Sequence, residues 1–234
     1  MKTIGLSDTG LKRKRNEDAF LIRNVENIFV VCDGMGGHKG GNIASNMAIQ
    51  TIEKELEDGH HVSVEFLNRA IEKANLKIWQ GGHDNLDWHE MGTTITIAKI
   101  DNMRLDICHV GDSRLYLIRK DEITQITKDH TLAEEMAKSG MIKSKQKSFN
   151  HVLTRALGIS KDIEIDNITM DLYKDDTILL CTDGLSDMLS DQELLTIITK
   201  NDETKITGQN LIQAALTKGG YDNITLILVQ INGR

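Results

Sequence analysis

The chain has 234 residues, 39% hydrophobic and 27% charged, which places it in the soluble globular range as one domain or two small ones. Its net charge of −7 argues against nucleic acid as the main partner, because that partner asks for a basic face. No apolar run approaches the ~18 residues of a membrane span, and residues 1–5 lack the apolar core of a signal peptide, so a cytoplasmic protein without a membrane partner is expected.

Residues 3–8 read as a short strand, turned by Thr9-Gly10. A basic stretch from Lys12 to Arg15 leads through Asn16-Glu17-Asp18 into a second strand, 19–22. Val25-Glu26-Asn27 turns the chain into the apolar strand 28–32. Past a glycine-rich stretch, Ile43, Met47, Ile52 and Leu56, with Ala44 and Ala48 beside them, mark an amphipathic helix ending near Asp58-Gly59. Leu67, Ala70, Ile71, Ala74 and Ile78 repeat at helical spacing, which predicts a second helix capped by Gly81 and followed by a loop over 81–90.

Met91-Gly92-Thr93-Thr94 opens a β-rich block. Apolar and polar residues alternate over 94–98, 105–109, 115–118 and 123–126, the pattern of antiparallel hairpins. Thr131-Leu132-Ala133-Glu134 is a capping box, so a short helix is expected to run to Gly140. Residues 142–151 show no period and carry Lys143, Lys145 and Lys147, the pattern of a mobile loop with solvated lysines. Ile163, Ile165 and Ile168 predict a strand ahead of the apolar strand 177–181. A second capping box, Ser190-Asp191-Gln192-Glu193, starts another helix. Leu211, Ile212, Ala215 and Leu216 form a further helical face, stopped by Gly219-Gly220, and 224–231 is a closing apolar strand. The order predicts an α+β fold: two antiparallel sheets with helices on their outer faces. A single domain, 1–234, is expected, with 131–160 as a flap subdomain.

The cysteines Cys32, Cys108 and Cys181 each lie in an apolar run; their odd number and wide spacing fit neither a disulfide nor a zinc framework, so they read as small buried hydrophobes. The chain has no proline, so its turns rest on glycine, Asn and Asp. Four aspartates sit beside glycine at the ends of apolar strands: Asp33, Asp112, Asp183 and Asp222. One Asp-Gly is ordinary turn chemistry. Four at the mouths of the most apolar strands would gather carboxylates from distant parts of the chain. Such carboxylates repel one another unless cations lie among them, and hard divalent ions favour oxygen-only ligands. The glycine stretch after Asp33 is not a phosphate loop of the nucleotide-binding kind, because Lys39 is followed by Gly40 rather than Ser or Thr. A dinucleotide fingerprint would need glycine at position 39.

Arg13-Lys14-Arg15-Asn16-Glu17-Asp18, Asp33-Gly34-Met35-Gly36-Gly37-His38, Met91-Gly92-Thr93-Thr94, His109-Val110-Gly111-Asp112-Ser113-Arg114, Thr154-Arg155-Ala156-Leu157-Gly158, Thr182-Asp183-Gly184 and Gly220-Tyr221-Asp222-Asn223 stand in order across nearly the whole chain. Together they resemble the metal-dependent protein serine/threonine phosphatases of type 2C, in their compact bacterial form. The resemblance implies an αββα sandwich and hydrolysis of phosphoserine and phosphothreonine in phosphoprotein substrates. A hydroxide bridging two Mn²⁺ or Mg²⁺ ions would attack phosphorus, and a Ser/Thr protein kinase would be the biological opposite. A monomer is expected. By the same resemblance Asp33 would bridge the two ions, the Gly34 carbonyl would bind one, and Asp183 and Asp222 the other. Glu17 or Asp18 would hold metal-bound waters or orient ligands, Arg13 would grip the phosphate, and Asp112 would share a third, weaker ion with Asp183 at the rim. One position departs from the eukaryotic pattern: the histidine general acid that follows Asp-Gly there is Met35 here. His38 is a candidate acid in its place, and a metal-bound water is the alternative. The rival readings are a phosphohydrolase for small esters and a catalytically silent phosphopeptide-binding module; the presence of Asp33, Asp183 and Asp222 argues against silence.

Overall fold

Alternation along the strands decides the layering. In β3 (Ile28–Met35), Ile28, Val30 and Cys32 point to one side and Phe29 and Val31 to the other, so both faces of the strand are apolar and both must be covered. The structure, a computed structural model, describes residues 1–36, 40–57, 62–139, 149, 151–200 and 203–231. One antiparallel sheet has the order β2 (Asp18–Arg23), β3, β5 (Ile95–Asp101), β6 (Arg104–Val110) and β9 (Asp166–Asp171), with the short β4 (Gly92–Thr93) paired to the end of β3. The other has the order β1 (Lys2–Asp8), β11 (Ile224–Gln230), β10 (Thr177–Cys181), β7 (Arg114–Arg119) and β8 (Glu122–Gln125). Helices α1 (Gly40–Leu56) and α2 (Val64–Asp84) cover the first sheet. The remaining helices are α3 (Leu132–Lys138), α4 (Asp183–Ser186), α5 (Asp191–Lys200) and α6 (Thr204–Thr217), of which α5 and α6 cover the second sheet.

The middle layer packs Phe29, Val31, Ala98 and Leu105 of the first sheet against Leu117, Ile178, Leu180 and Ile227 of the second. Towards one end of the sandwich the same alternation continues with polar residues: Asp18 and Asp33, Thr96 and His109, Thr182 and Thr225. Asp18 and Asp33 stand directly opposite each other across the β2–β3 ladder. The period-2 pattern that builds the core therefore also delivers carboxylates to one mouth between the sheets. Two close approaches tighten that mouth. A methyl group on Gly34 would overlap the Gly41 carbonyl oxygen, and one on Gly184 would overlap the Asn223 carbonyl oxygen.

Most predicted elements stand where the sequence placed them, but three differ. Helix α2 does not stop at Gly81; it continues to Asp84, and the N–H of Asn85 bonds to the Gly81 carbonyl at 3.2 Å. Gly81 and Gly82 instead let the helix pass close beneath Met91 and Trp88. The strand expected around Ile163 begins at Asp166, because its partner β6 ends at Val110 and the ladder finishes at the His109–Asp166 pair. Ile163 and Ile165 pack on the helix side of the first sheet instead. Third, β10 passes through Thr182 into the short helix α4, which the sequence reading did not contain. Each capping box forms one of its two reciprocal bonds. Thr131 Oγ1 accepts from the Glu134 N–H at 3.3 Å, and Glu193 Oε2 accepts from the Ser190 N–H at 2.9 Å. The expected helix ends at Asp58-Gly59 and Gly140 lie outside the described residues, as does most of the loop 142–151.

Candidate active site

Backbone bonds fix each acid before its side chain is considered. The Asp33 N–H donates to Thr94 Oγ1 at 2.9 Å, and its carbonyl accepts from the Thr94 N–H at 2.8 Å and from Thr93 Oγ1 at 2.8 Å. The Gly34 N–H donates to the Glu17 carbonyl at 3.2 Å, which joins the ends of two segments. Asp112 follows Gly111, whose left-handed φ of 113° and N–H bond to His130 Nδ1 at 3.0 Å set the turn. Asp222 accepts the Asn223 N–H on Oδ1 at 2.8 Å and pairs through Oδ2 with Arg13 Nη2 at 2.6 Å. Asp18 Oδ2 accepts from Thr182 Oγ1 at 2.9 Å, a bond between the sheets.

These residues surround a cleft of about 460 Å³ lined by Arg13, Glu17, Asp33, Gly34, Asp112, Asp183 and Asp222, with Met35, His151 and Leu153 completing its wall. Asp18 is buried and is not among the residues lining the cleft. Asp112 is only 8% exposed. It lines both the cleft and a second cavity of about 190 Å³, bounded also by Arg114, Asp129, Glu134 and Asp187. His38 lies outside the described residues.

The mouth is short of positive charge. Burial pushes the Asp33 carboxyl well above its usual range, and Asp18, Asp183, Asp112 and Asp222 add to the effect. Burial, then the charge of its acidic neighbours, raises Asp18 to about 7 against the bonds it accepts. Asp112 is raised to about 8 by burial and by Asp183. Glu17 is raised mainly by burial, and Asp187 by burial and Asp183. Among the described residues, Asp18 Oδ1 and Asp183 Oδ1 are buried without a hydrogen-bond partner. Orphaned carboxylate oxygens in an all-oxygen set fit Mg²⁺ or Mn²⁺.

Two residues at the mouth were not singled out from sequence. His151 Nδ1 lies 3.5 Å from Asp187 Oδ2 and 3.8 Å from Asp183 Oδ2. Its approach to Asp183, with the nearby charges of Asp187 and Asp112, lifts the imidazole to about 9. Asp187 was findable: it is four residues after Asp183, one helical turn on, and its N–H donates to the Asp183 carbonyl at 2.8 Å. His151 carried no such signal.

The family model described as protein phosphatase 2C matches residues 12–204. The chain belongs to the protein phosphatase 2C family. A serine/threonine phosphatase stp of Listeria innocua is 34% identical to this phosphatase 2C chain, over 97% of the chain and 94% of the relative. The crystal structure of the Mycobacterium tuberculosis serine/threonine phosphatase PstP/Ppp superposes with a TM-score of 0.91 at 32% identity, covering 99% of each chain. A catalytic domain of PstP in complex with two manganese ions superposes with a TM-score of 0.89 at 33% identity, covering 99% of this chain and 98% of that one. The αββα layering is that of this phosphatase family.

Proposed function

We propose that this phosphatase 2C chain hydrolyses phosphoserine and phosphothreonine in proteins, depends on two Mn²⁺ or Mg²⁺ ions, and opposes a Ser/Thr protein kinase in the cytoplasm. One observation carries the reading: Asp18, Asp33, Asp112, Asp183 and Asp222 converge on one mouth from separate strand ends, and two of their buried oxygens lack a partner among the described residues. Asp33, the Gly34 carbonyl, Asp183 and Asp222 would hold the ion pair, Asp18 and Glu17 would orient it through water, and Asp112 with Asp183 would hold a third ion. When bound, such a pair acidifies a water and neutralises charge on the phosphate. Arg13 pairs with Asp222 through one Nη, which leaves other guanidinium donors for phosphate oxygens at the cleft. No thiolate attack is available: burial raises the Cys108 and Cys181 thiols to about 12 and pushes Cys32 up as well. The same cysteines are free and buried, which supports the cytoplasmic setting, and no helix among the described residues is long and apolar enough to cross a membrane.

Residues 131–160 belong to the proposal as a flap within a single domain. Their described limbs are bridged at Thr131 and Leu153, the Leu132 N–H donates to the Val152 carbonyl at 2.8 Å, and Leu153 lines the cleft. The test is phosphate release from a phosphothreonine peptide with and without Mn²⁺. EDTA should abolish it and added metal restore it. Full turnover in a metal-stripped sample overturns the reading. Faster turnover of a small ester than of the peptide favours the small-ester rival, and peptide binding without turnover favours the silent module.

A further inference from the structure

Lys12, Arg13, Lys14 and Arg15 are consecutive and exposed in a chain whose net charge is −7 and whose cleft is walled by carboxylates. A run of cations that served only solubility would need no fixed backbone. This one is tied down at both ends. Asn223, 3% exposed, donates from Nδ2 to the Thr9 carbonyl at 2.9 Å and to the Arg15 carbonyl at 2.8 Å, and accepts on Oδ1 from the Glu17 N–H at 2.8 Å. One buried amide thus holds both ends of the basic segment. Between them the Gly10 N–H donates to Asp8 Oδ1 and the Leu11 N–H to the Gly220 carbonyl, each at 2.8 Å. Beyond them Asn16 Nδ2 donates to Ser7 Oγ at 2.6 Å, and Asn42 Nδ2 to the Asn16 carbonyl at 3.0 Å.

Within this loop Arg13 enters the cleft, and Lys12 and Lys14 are its chain neighbours, ~3.8 Å away at Cα. Leu11 and Tyr221, 64% and 59% exposed, stand either side of the Gly219-Gly220 turn at the root of the loop. We infer that the loop from Thr9 to Glu17 is a preformed arm that reads acidic side chains flanking the phosphorylated residue of a peptide substrate. The inference rests on the phosphatase reading above and narrows its substrate class. The cations of the loop beside the cleft are where an acidic flank is favoured, and this sets how the peptide lies. A backbone already fixed at both ends of the basic segment spares the loop's own ordering cost when the peptide docks. Charge complementarity of this kind acts mainly on selectivity and on the rate of encounter.

The test compares two phosphothreonine peptides that differ only in their flanks, one with three glutamates on each side and one with glutamines. Both are measured against the parent and against the Lys12→Gln/Lys14→Gln double variant, at low and high salt. Each peptide is also titrated by fluorescence anisotropy, so the preference is read even where nothing turns over. The parent should favour the glutamate peptide by roughly 5-fold at low salt, falling as salt rises, the size expected for a few exposed ion pairs. In the double variant the ratio should approach one. Equal handling of the two peptides by the parent overturns the arm, as does a preference that survives the double replacement. Preferential binding without hydrolysis of either peptide keeps the arm and sinks the catalytic reading instead.

Discussion

Arg13 and the aspartates do different work, and single substitutions separate them. A charge-assisted arginine–phosphate contact contributes about 1.5–3 kcal/mol. Arg13→Ala should therefore lower kcat/KM by roughly 10- to 150-fold. Because Arg13 also neutralises Asp222 at 2.6 Å, its removal should leave metal affinity no weaker than before. Unchanged kcat/KM in this variant would return Arg13 to a surface role, and calorimetric titration reads the metal. Asp183 and Asp112 make a second contrast. Asp183→Asn takes a full charge from the proposed ion pair and should lose both turnover and one tight metal. Asp112→Asn should keep two tight metals yet turn over slowly. Asp112 is buried, unlike a residue that merely caps an exposed turn, and its carboxyl is raised to about 8 by burial and Asp183. Its replacement removes a carboxyl that must take up a proton on folding at neutral pH, so the melting temperature of the metal-free protein should not fall. A turn cap would give the opposite result, lower melting and full kcat, and an Asp112→Asn variant that lost the core metals would also defeat the division.

At the scale of elements, the site depends on how the return limb of 131–160 is tied to α2. Asn75, fully buried among the apolar residues of that helix, donates from Nδ2 to the Ser160 carbonyl at 3.0 Å and the Lys161 carbonyl at 2.9 Å, and accepts on Oδ1 from the Gly158 N–H at 2.8 Å. Asn75→Leu would strand those three backbone groups and should cost about 3 kcal/mol in urea unfolding, on ~1–3 kcal/mol for each buried group left unpaired. A loss below ~0.5 kcal/mol, the usual range for a surface change, would show that the turn holds itself. The sequence could announce helices with an apolar stripe and strands with a period of two, because those patterns are the burial itself. It could announce both capping boxes for the same reason: the bond partners lie three residues apart. Gly81 misled because one letter serves two purposes, ending a helix and letting a helix pass close to a neighbour. Ile163 and Ile165 misled because their burial is satisfied against another layer rather than in a ladder. Asp33, Asp112 and Asp183 were legible because each stands at the end of an apolar strand, and Asp222 because it stands just before one. His151 was not, since only the folded return limb brings it beside Asp183 and Asp187.

Across the whole molecule, the sandwich concentrates negative charge at one end, and its stability should depend on what occupies that end. In the metal-free protein Asp18 is raised to about 7 and Asp112 to about 8, while an unfolded aspartate titrates near 3.9. The folded state therefore keeps protons that the unfolded state has released. A group raised in this way contributes stability fully below its unfolded pKa and loses that contribution as pH rises through its folded value. His151, raised to about 9, acts in the same direction. His109 acts in the opposite one: burial depresses it to about 3, so it weakens the fold as pH falls below 6.5. Folded His109 is neutral throughout pH 6.5 to 8, and the unfolded imidazole loses its remaining half proton over the lower part of that window, so its opposing effect is small and the raised groups decide the slope. In EDTA, the melting temperature should fall across that window by an amount on the order of 5 °C, from about 1.4 kcal/mol per pH unit for each group still protonated only in the fold. Mn²⁺ should reverse the fall, because the ions replace the protons as the neutralising charge. Its stabilising effect should then be larger at pH 8 than at pH 6.5. Scanning calorimetry at both pH values, with EDTA and with Mn²⁺, measures all four corners. A metal-free melting temperature that is flat or rising over the window, or a Mn²⁺ increment equal at both ends, would mean that the acidic mouth is neutralised by something other than bound protons and bound metal.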